Sequence, residues 1–488
     1  MEPVCDTTGV REAEAAAIDR EGADILMQRA AAGVATVVSD LLHELAPDGT
    51  PDPSRLTGRT VLVVAGAGNN GGDALYAGAR LAEAGATVLV AGTADVIHTE
   101  ALRACQAAGG RQVGQAEIAE DLRRGRIDCV VDGVLGLGGR AGLRGPVAAL
   151  AIACADRRVP VVAVDLPSGV VADEGTVSGT AFHARRTVTF GVRKPCHVLE
   201  PAASACGEVQ VVDIGLGEVP PLLMAATDSD IAGWWPVPDG SSDKYSRGVV
   251  GLDAGSQDYP GAGLLAAYGA THAGAGMVRF TGDRAVGELI TAQLPNVVRA
   301  EGRVQARVLG PGWGARRDAD QVVAAAIEAN ESLVIDADAL RALPTTRLRA
   351  DVLLTPHAGE LARLLEVERG EVTGDPLGAV DEAVQRTGAT VLLKGSTQYV
   401  KGPLDPLTTI AVVGPSWTAQ AGSGDVLAGI CGALLAAGLE TVQAALTGAS
   451  IQAIAARRHP GPYPPQELAR RLPGVIADLV GGRPLTSA

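Results

Sequence analysis

The chain has 488 residues, enough for two domains with separate cores, and its 41 basic against 56 acidic residues give a formal charge of -15. No block of Lys or Arg runs along it, so neither a nucleic-acid backbone nor an anionic membrane surface is an expected partner, and an anionic ligand must be held by glycine turns, helix ends or bound cations. The seven cysteines form no C-x-x-C pair, no basic-then-apolar leader opens the chain, and no run of about 18 apolar residues reads as a membrane span, so the expectation is a cytoplasmic enzyme without a disulfide framework.

Residues 9–45 are rich in Ala and Glu, with Ile25, Leu26, Val34, Val37, Val38 and Leu41 at helical spacing, which predicts packing helices without chemistry. Residues 48–54, with Pro47, Pro51 and Pro53, read as a surface loop. The apolar, β-branched run 60–65 (TVLVVA) predicts a strand, and Gly66-Ala-Gly-Asn-Asn-Gly-Gly-Asp73 then leads into an Ala-rich helix. Gly66, Gly68 and Gly71 have the spacing of the dinucleotide fingerprint, but the next strand, 87–91, runs into Gly92 without the acid that would hold a ribose. Asn69, Asn70 and Asp73 instead put amides and a carboxylate where a redox fold keeps bare backbone, which points to a site with its own chemistry.

Two further strands, 128–132 and 160–165, end in Asp132 and Asp165. Taken singly, each acid is a turn or cap residue. In an open parallel sheet, however, ligands bind beyond the carboxyl ends of the strands, where Asn70, Asp132 and Asp165 are expected to converge; a neutral amide, a carboxylate and the Ser168 hydroxyl are oxygen ligands fit for a hard cation. Strands 187–190 and 209–213 complete about six in a mostly parallel, doubly wound sheet. This first domain is expected to span residues 1–217, with a linker or docking segment at 218–240 that carries Pro220, Pro221, Pro236 and Pro238.

The second domain, 241–488, repeats strand, turn and helix: 245–252 then Pro260-Gly-Ala-Gly263, 308–314 (VLGPGWG), 333–338 (LVIDAD), 351–354 then Thr355-Pro-His-Ala-Gly-Glu360, and 389–393 delivering Lys394-Gly-Ser-Thr-Gln398. In isolation Lys394 reads equally as a solvated lysine and His357 as a satisfied loop histidine. The run Ala421-Gly-Ser-Gly-Asp-Val-Leu-Ala-Gly-Ile430 places a glycine turn on a helix N-terminus, where unpaired N–H groups and the helix dipole suit a phosphate. Asp425, in the first turn, is either a cap or a general base acting on a hydroxyl that attacks that phosphate.

Together these motifs resemble the bifunctional enzymes that repair hydrated nicotinamide nucleotides, an NAD(P)HX epimerase fused to an ADP-dependent NAD(P)HX dehydratase. The resemblance covers nearly the whole chain and rests on GAGNNGGD (66–73), VDGVLGLGGR (131–140) and VDLPSG (164–169), then YPGAG (259–263), GPGWG (310–314), IDADAL (335–340), TPHAGE (355–360), LLKGS (392–396) and AGSGDVLAG (421–429). It implies an α/β chain in which a Rossmann-like doubly wound domain precedes a ribokinase-like α/β domain. The first would interconvert R- and S-NAD(P)HX; the second would dehydrate S-NAD(P)HX to NAD(P)H, releasing AMP and phosphate.

By the same resemblance, Asn69, Asn70, Gly71, Gly72 and Asp73, the loop Gly136, Leu137, Gly138, Gly139, Arg140, Ala141 and Gly142, and Asp165 contact the hydrated nucleotide in the epimerase, with Asp165 moving the proton. Asn70, Asp132 and Ser168 hold potassium. Ala262, Gly312, His357 and Asp425 face the dehydratase substrate, while Lys394, Gly395, Ser396, Thr397, Gln398 and Gly424 face the adenine nucleotide, with Mg²⁺ on its phosphates and Asp425 as the base. The partners implied are NADHX, NADPHX and ADP, and a homo-oligomer stays open. So do two rival readings, an ATP-dependent small-molecule kinase in the second domain and a non-catalytic binding module in the first. Three segments depart from the family pattern: Ala74 follows NNGGD, Asp243-Lys-Tyr-Ser-Arg-Gly248 enters the second domain, and Val413-Gly-Pro-Ser-Trp417 precedes the glycine turn.

Overall fold

The computed structural model describes residues 1–45, 56–93, 97–329 and 331–481; the loop expected at 48–54 lies outside the described residues. The chain forms two compact units, Glu2–Leu222 and, from Leu223 onward, the remainder.

In the first unit the strands Arg111–Gln112, Thr87–Gly92, Thr60–Ala65, Cys129–Gly133, Val161–Val164, Arg186–Phe190 and Glu208–Val212 lie side by side in that order, every pair parallel. That is one strand more than the sequence predicts, because the two-residue Arg111–Gln112 is too short to show a period. Alternation along Thr60–Ala65 sends Val61, Val63 and Ala65 into a core shared with the helices Ala23–Glu44 and Asn69–Glu83, and Leu62 and Val64 into a core on the other face. Each fully buried valine contributes about 1.5–3 kcal/mol, which is why a sheet covered on both faces reads as an unbroken apolar run. Ala23–Glu44 is the one described helix long and apolar enough to cross a membrane, but nine of its residues are buried in the first of these cores. The chain order of the strands reverses between Thr60–Ala65 and Cys129–Gly133, so the crevice of this sheet opens between the loops after Ala65 and after Gly133.

The second unit orders its strands Leu223–Ala225, Thr409–Ile410, Tyr399–Lys401, Thr390–Leu393, Val352–Leu354, Ser332–Ile335, Ala306–Leu309, Val249–Asp253 and Met277–Phe280. All pairs are parallel except the two made by Tyr399–Lys401. Here the reversal falls between Val249–Asp253 and Ala306–Leu309, the strands that lead into YPGAG and GPGWG. The linker expected at 218–240 is corrected by this topology: Leu223–Ala225 pairs with Thr409–Ile410, and Asp228–Trp234 is a helix with a Thr227–Asp230 capping box. Prolines 220, 221, 236 and 238 flank these short elements and do not mark one loose tether.

The helices Pro260–His272 and Ser423–Ala436 touch backbone to backbone. A Cβ on Gly429 would stand 2.0 Å from the Ala266 carbonyl oxygen and one on Gly269 would stand 2.1 Å from that of Val426, so these two glycines set how closely the glycine-turn helix lies against its neighbour.

Candidate active sites of the two units

In the first unit, Gly66 must be glycine because a Cβ there would lie 2.0 Å from the Val134 carbonyl oxygen; the two loops of the crevice meet at that contact. The helix then starts at Asn69. Asn69 is exposed, whereas the Asn70 side chain turns inward and its Nδ2 donates to the carbonyls of Leu135 and Val164, each at 3.0 Å. Its amide oxygen faces Gly136 and has no hydrogen-bond donor among the described residues. Asp132, fully buried, accepts from the Ser168 N–H at 2.7 Å, the Ser168 hydroxyl at 2.6 Å and the Val134 N–H at 3.2 Å. Burial pushes its carboxyl up to about 6 despite these bonds, because all three partners are neutral. The Ser168 hydroxyl also accepts from the Leu135 N–H at 2.9 Å, so Asn70, Asp132 and Ser168 are brought together around the Val134–Leu135 backbone.

Asp165 follows the strand Val161–Val164 in a left-handed conformation, φ +66°, which costs a residue with a Cβ on the order of 1 kcal/mol and is held by its own N–H on the Val188 carbonyl at 2.7 Å. The Lys194 ammonium donates to its Oδ1 at 2.8 Å and to Thr189 Oγ1 at 2.8 Å, and Thr189 donates to the same carboxylate oxygen at 3.0 Å. Lys194 is 1% exposed. Burial raises the Asp165 carboxyl, but the adjacent Lys194 outweighs it and holds the group below the ordinary value. Asp73 shows the opposite balance: it is buried, has no hydrogen-bond donor among the described residues, and is pushed well above the carboxylate range by burial and by the like charges of Asp165 and Glu14.

Glu14 belongs to the helix Thr7–Glu21, and Arg11 of the same helix donates to the Leu137 carbonyl at 3.0 Å. The expectation that the first helices carry no chemistry is therefore corrected: two of their side chains reach the candidate site. The 136–142 segment is a loop closed by the Gly139 N–H on the Gly136 carbonyl and the Gly142 N–H on that of Gly169, with Gly138, Arg140 and Ala141 exposed.

In the second unit, Gly312 has φ +65° and a Cβ on it would lie 2.4 Å from that of Ala262, so these two candidates are packed together. Gly422, φ +93°, caps the helix Ser423–Ala436, and Asp425 lies in its first turn. The strand Thr390–Leu393 delivers Lys394, whose ammonium binds Asp336 Oδ1 at 2.5 Å and comes close to Gly424. Asp336 itself follows the strand Ser332–Ile335. The Asp425 carboxyl is pushed up to about 6, first by burial, then by Asp336, with Lys394 working against them and Glu360 adding to the rise. Gly395 and Ser396 are exposed, Thr397 is buried and Gln398 half-buried.

His357 is the N-cap of the helix Ala358–Leu365: its Nδ1 accepts from the N–H groups of Gly359 at 3.0 Å and Glu360 at 3.1 Å, and Glu360 accepts from the His357 N–H at 2.8 Å. The ring is half-exposed and backbone-paired beside Lys394, so it combines the satisfied-loop role with a position at the site. Sequence reasoning gave no role to Lys194, Glu14, Thr189, Asp336 or Glu360. Asp336 and Glu360 stood in quoted motifs and each follows or caps a predicted element, the signal that could have found them; Lys194 had none. The departing segment Val413–Trp417 runs into a 3-10 turn, Ser416–Thr418, with Trp417 exposed.

The family profile described as NAD(P)H-hydrate dehydratase matches residues 250–473, and that of the YjeF-related protein N-terminus matches residues 23–196. A bifunctional NAD(P)H-hydrate repair enzyme of Mycobacterium leprae (strain TN) is 41% identical over 467 residues, 93% of this chain and 94% of its own. Its counterpart from Mycobacterium tuberculosis (strain ATCC 25618 / H37Rv) is 40% identical over 451 residues, 90% of each chain. Among solved structures, the ADP/ATP-dependent NAD(P)H-hydrate dehydratase of Bacillus subtilis, co-crystallised with ATP and Mg²⁺, aligns at 26% identity over 53% of this chain and 99% of its own, with a TM-score of 0.49.

Proposed function

Since this chain belongs to the bifunctional NAD(P)H-hydrate repair enzymes, which join an epimerase to a dehydratase of NAD(P)H hydrates, we propose the following division of work among its own residues. The unit Glu2–Leu222 carries the epimerase and the part from Leu223 onward carries the dehydratase.

In the dehydratase half the substrate's hydroxyl is a poor leaving group. Transfer of a phosphoryl group from ADP, releasing AMP, converts it to phosphate, and loss of phosphate restores the dihydronicotinamide. Asp425 takes the hydroxyl proton; its carboxyl near 6 ionises just below neutral pH, where a base is both available and strong enough to be useful. Lys394 and the N–H groups of the glycine turn around Gly424 receive the phosphate charge, with Gly395, Ser396, Thr397 and Gln398 along the nucleotide. Ala262, Gly312 and His357 flank the substrate. Asp336, Glu360 and Asp425 crowd one ammonium, an oxygen-rich and net acidic donor set that fits Mg²⁺, which when bound neutralises phosphate charge. The observation that carries this reading is the Asp425 carboxyl raised beside a Lys394 that is paired with a different acid.

In the epimerase half, Asp165 is the proton-transfer residue, and Asn69, Asn70, Gly71, Gly72, Asp73 and the loop 136–142 hold the hydrated nucleotide. Among the described residues the fully buried Asp132 has only neutral partners and the Asn70 amide oxygen has no donor, so with Ser168 the set fits a monovalent cation such as potassium, which would offset the buried charge.

The test is to give the protein both epimers of hydrated NADH. With ADP and Mg²⁺ the 340 nm absorbance should recover fully, one AMP and one phosphate appearing per NADH; without ADP only the epimer ratio should move. A stable phosphorylated product without NADH would make the second half a kinase and overturn the reading.

A further inference from the structure

Two carboxyls of the first unit, Asp73 and Asp165, sit as like-charge neighbours in opposite settings. Asp165 is clamped by the Lys194 ammonium and the Thr189 hydroxyl, with its carbonyl 2.9 Å from His197 Nε2. Asp73 is also buried, 8% exposed against 5% for Asp165, yet meets no donor among the described residues, and the charges facing it are the carboxylates of Asp165 and, from the helix Thr7–Glu21, Glu14. A mostly buried carboxyl with no donor and two acidic neighbours is more stable carrying its proton than an ordinary carboxyl is. A carboxylate that accepts from an ammonium and a hydroxyl is most stable without one.

We propose that the epimerase half works through these two carboxyls with divided roles, Asp73 giving a proton and Asp165 taking one, and with Lys194 as the residue that positions Asp165. The proposal rests on the epimerase reading above and adds to it the second proton-transfer group and the lysine.

The chemistry balances without any further reactant. Hydration leaves the hydroxyl on the ring carbon bonded to N1, a carbinolamine. Asp165 takes the hydroxyl proton, the C–O bond becomes a carbonyl, and the C–N1 bond breaks with its electron pair going to N1. Asp73 protonates N1, giving a neutral open aldehyde. Rotation about the adjacent C–C bond presents the other face of the carbonyl. Asp73 then takes the N1 proton back as N1 attacks carbon, and Asp165 returns its proton to the oxygen, so both carboxyls end as they began and the configuration is inverted. Two carboxyls in unlike protonation states are what such a reversible exchange requires.

The charged groups that tune the pair are Glu14 from the first helix, Lys194 and His197 from the segment after Arg186–Phe190, and Arg11, which acts on Glu14. The experiment uses the full-length chain without ADP, starting from a sample enriched in one epimer and following the ratio across pH by chromatography. The wild type should show a bell-shaped profile. Asp73→Asn should lower the rate about a hundredfold and remove the basic limb. Glu14→Gln should move the basic limb to lower pH, because one of the charges opposing ionisation of Asp73 is gone. Lys194→Met should move the acidic limb upward, and Lys194→Arg should restore it in part; circular dichroism monitors folding, and the wild-type and Glu14→Gln profiles stand even where the Lys194 variants fail to fold. A wild type that leaves the epimer ratio unchanged overturns the epimerase reading and the proposal with it. A wild type that equilibrates the epimers while Asp73→Asn keeps its rate and basic limb overturns the proposal alone.

Discussion

The two halves use the same parts and set them to opposite effect. In each, an acid just past the end of a strand is paired with a lysine, Asp165 with the buried Lys194 and Asp336 with the partly buried Lys394. In each, a second acid stands near the start of a helix behind a glycine turn, Asp73 and Asp425, and is pushed upward by burial and by like charge. The difference lies in what the second acid meets. Lys394 reaches past Asp336 toward Gly424 and lowers Asp425, which stops near 6; the charges facing Asp73 are carboxylates, and it stays well above its ordinary value. The reach of one ammonium therefore separates a group that takes a proton from one that gives it.

The sharpest way to break this comparison is at Asp425. Asp425→Asn should slow ADP-dependent dehydration by about a hundredfold or more while nucleotide binding, read by calorimetry, changes little, because losing a base costs rate more than ground-state affinity. Near-normal turnover would reduce Asp425 to a helix-dipole partner.

The epimerase half is tested by the shape of a progress curve. A dehydratase pocket built round one hydroxyl configuration rejects the other, since a misplaced hydroxyl cannot reach base and phosphate together. Asp165→Ala should leave the early rate of NADH formation from mixed epimers untouched, then drop it about a hundredfold once the usable epimer is spent. A single phase running to completion would remove Asp165 from proton transfer.

How much of this was legible in the sequence follows from separation along the chain. Glycine turns, strand-end acids and the helix behind Asp425 are local patterns, and they stand where the residues put them. The lysines are not local: Lys194 is 29 residues from Asp165 and Lys394 is 58 from Asp336, and each pairing exists only because parallel strands bring two chain segments together. Glu14 was missed because an Ala- and Glu-rich helix with an ordinary apolar stripe gives no sign of which acid faces a site 150 residues on. The short strand within 218–240 is not legible because three residues have no period to read, while the prolines around it punctuate loudly.

A smaller effect is expected from potassium. Exhaustive replacement by tetramethylammonium should slow epimerisation about tenfold without touching dehydration, and Asp132→Asn should abolish the difference between the two salts. Equal epimerisation rates in both salts would leave Asp132, Asn70 and Ser168 as a neutral hydrogen-bond cluster only.

The finest test reads the opposed settings as pH. If Asp425 is the base, only its ionised form works, and because its carboxyl lies near 6 the acidic limb of dehydration kcat/KM should fall near pH 6, well above the ordinary carboxylate range. Asp336→Asn removes a like charge and also releases the Lys394 ammonium from its partner; both changes favour ionised Asp425, so the limb should move down by about one pH unit. Lys394→Met removes the cation that lowers Asp425 and should move the limb up, measured at saturating nucleotide because the same lysine holds phosphate. The two variants must therefore shift the limb in opposite directions. If both shift it the same way, or neither does, the titrating group is not Asp425, and the contrast between a base in one half and an acid in the other loses its electrostatic footing.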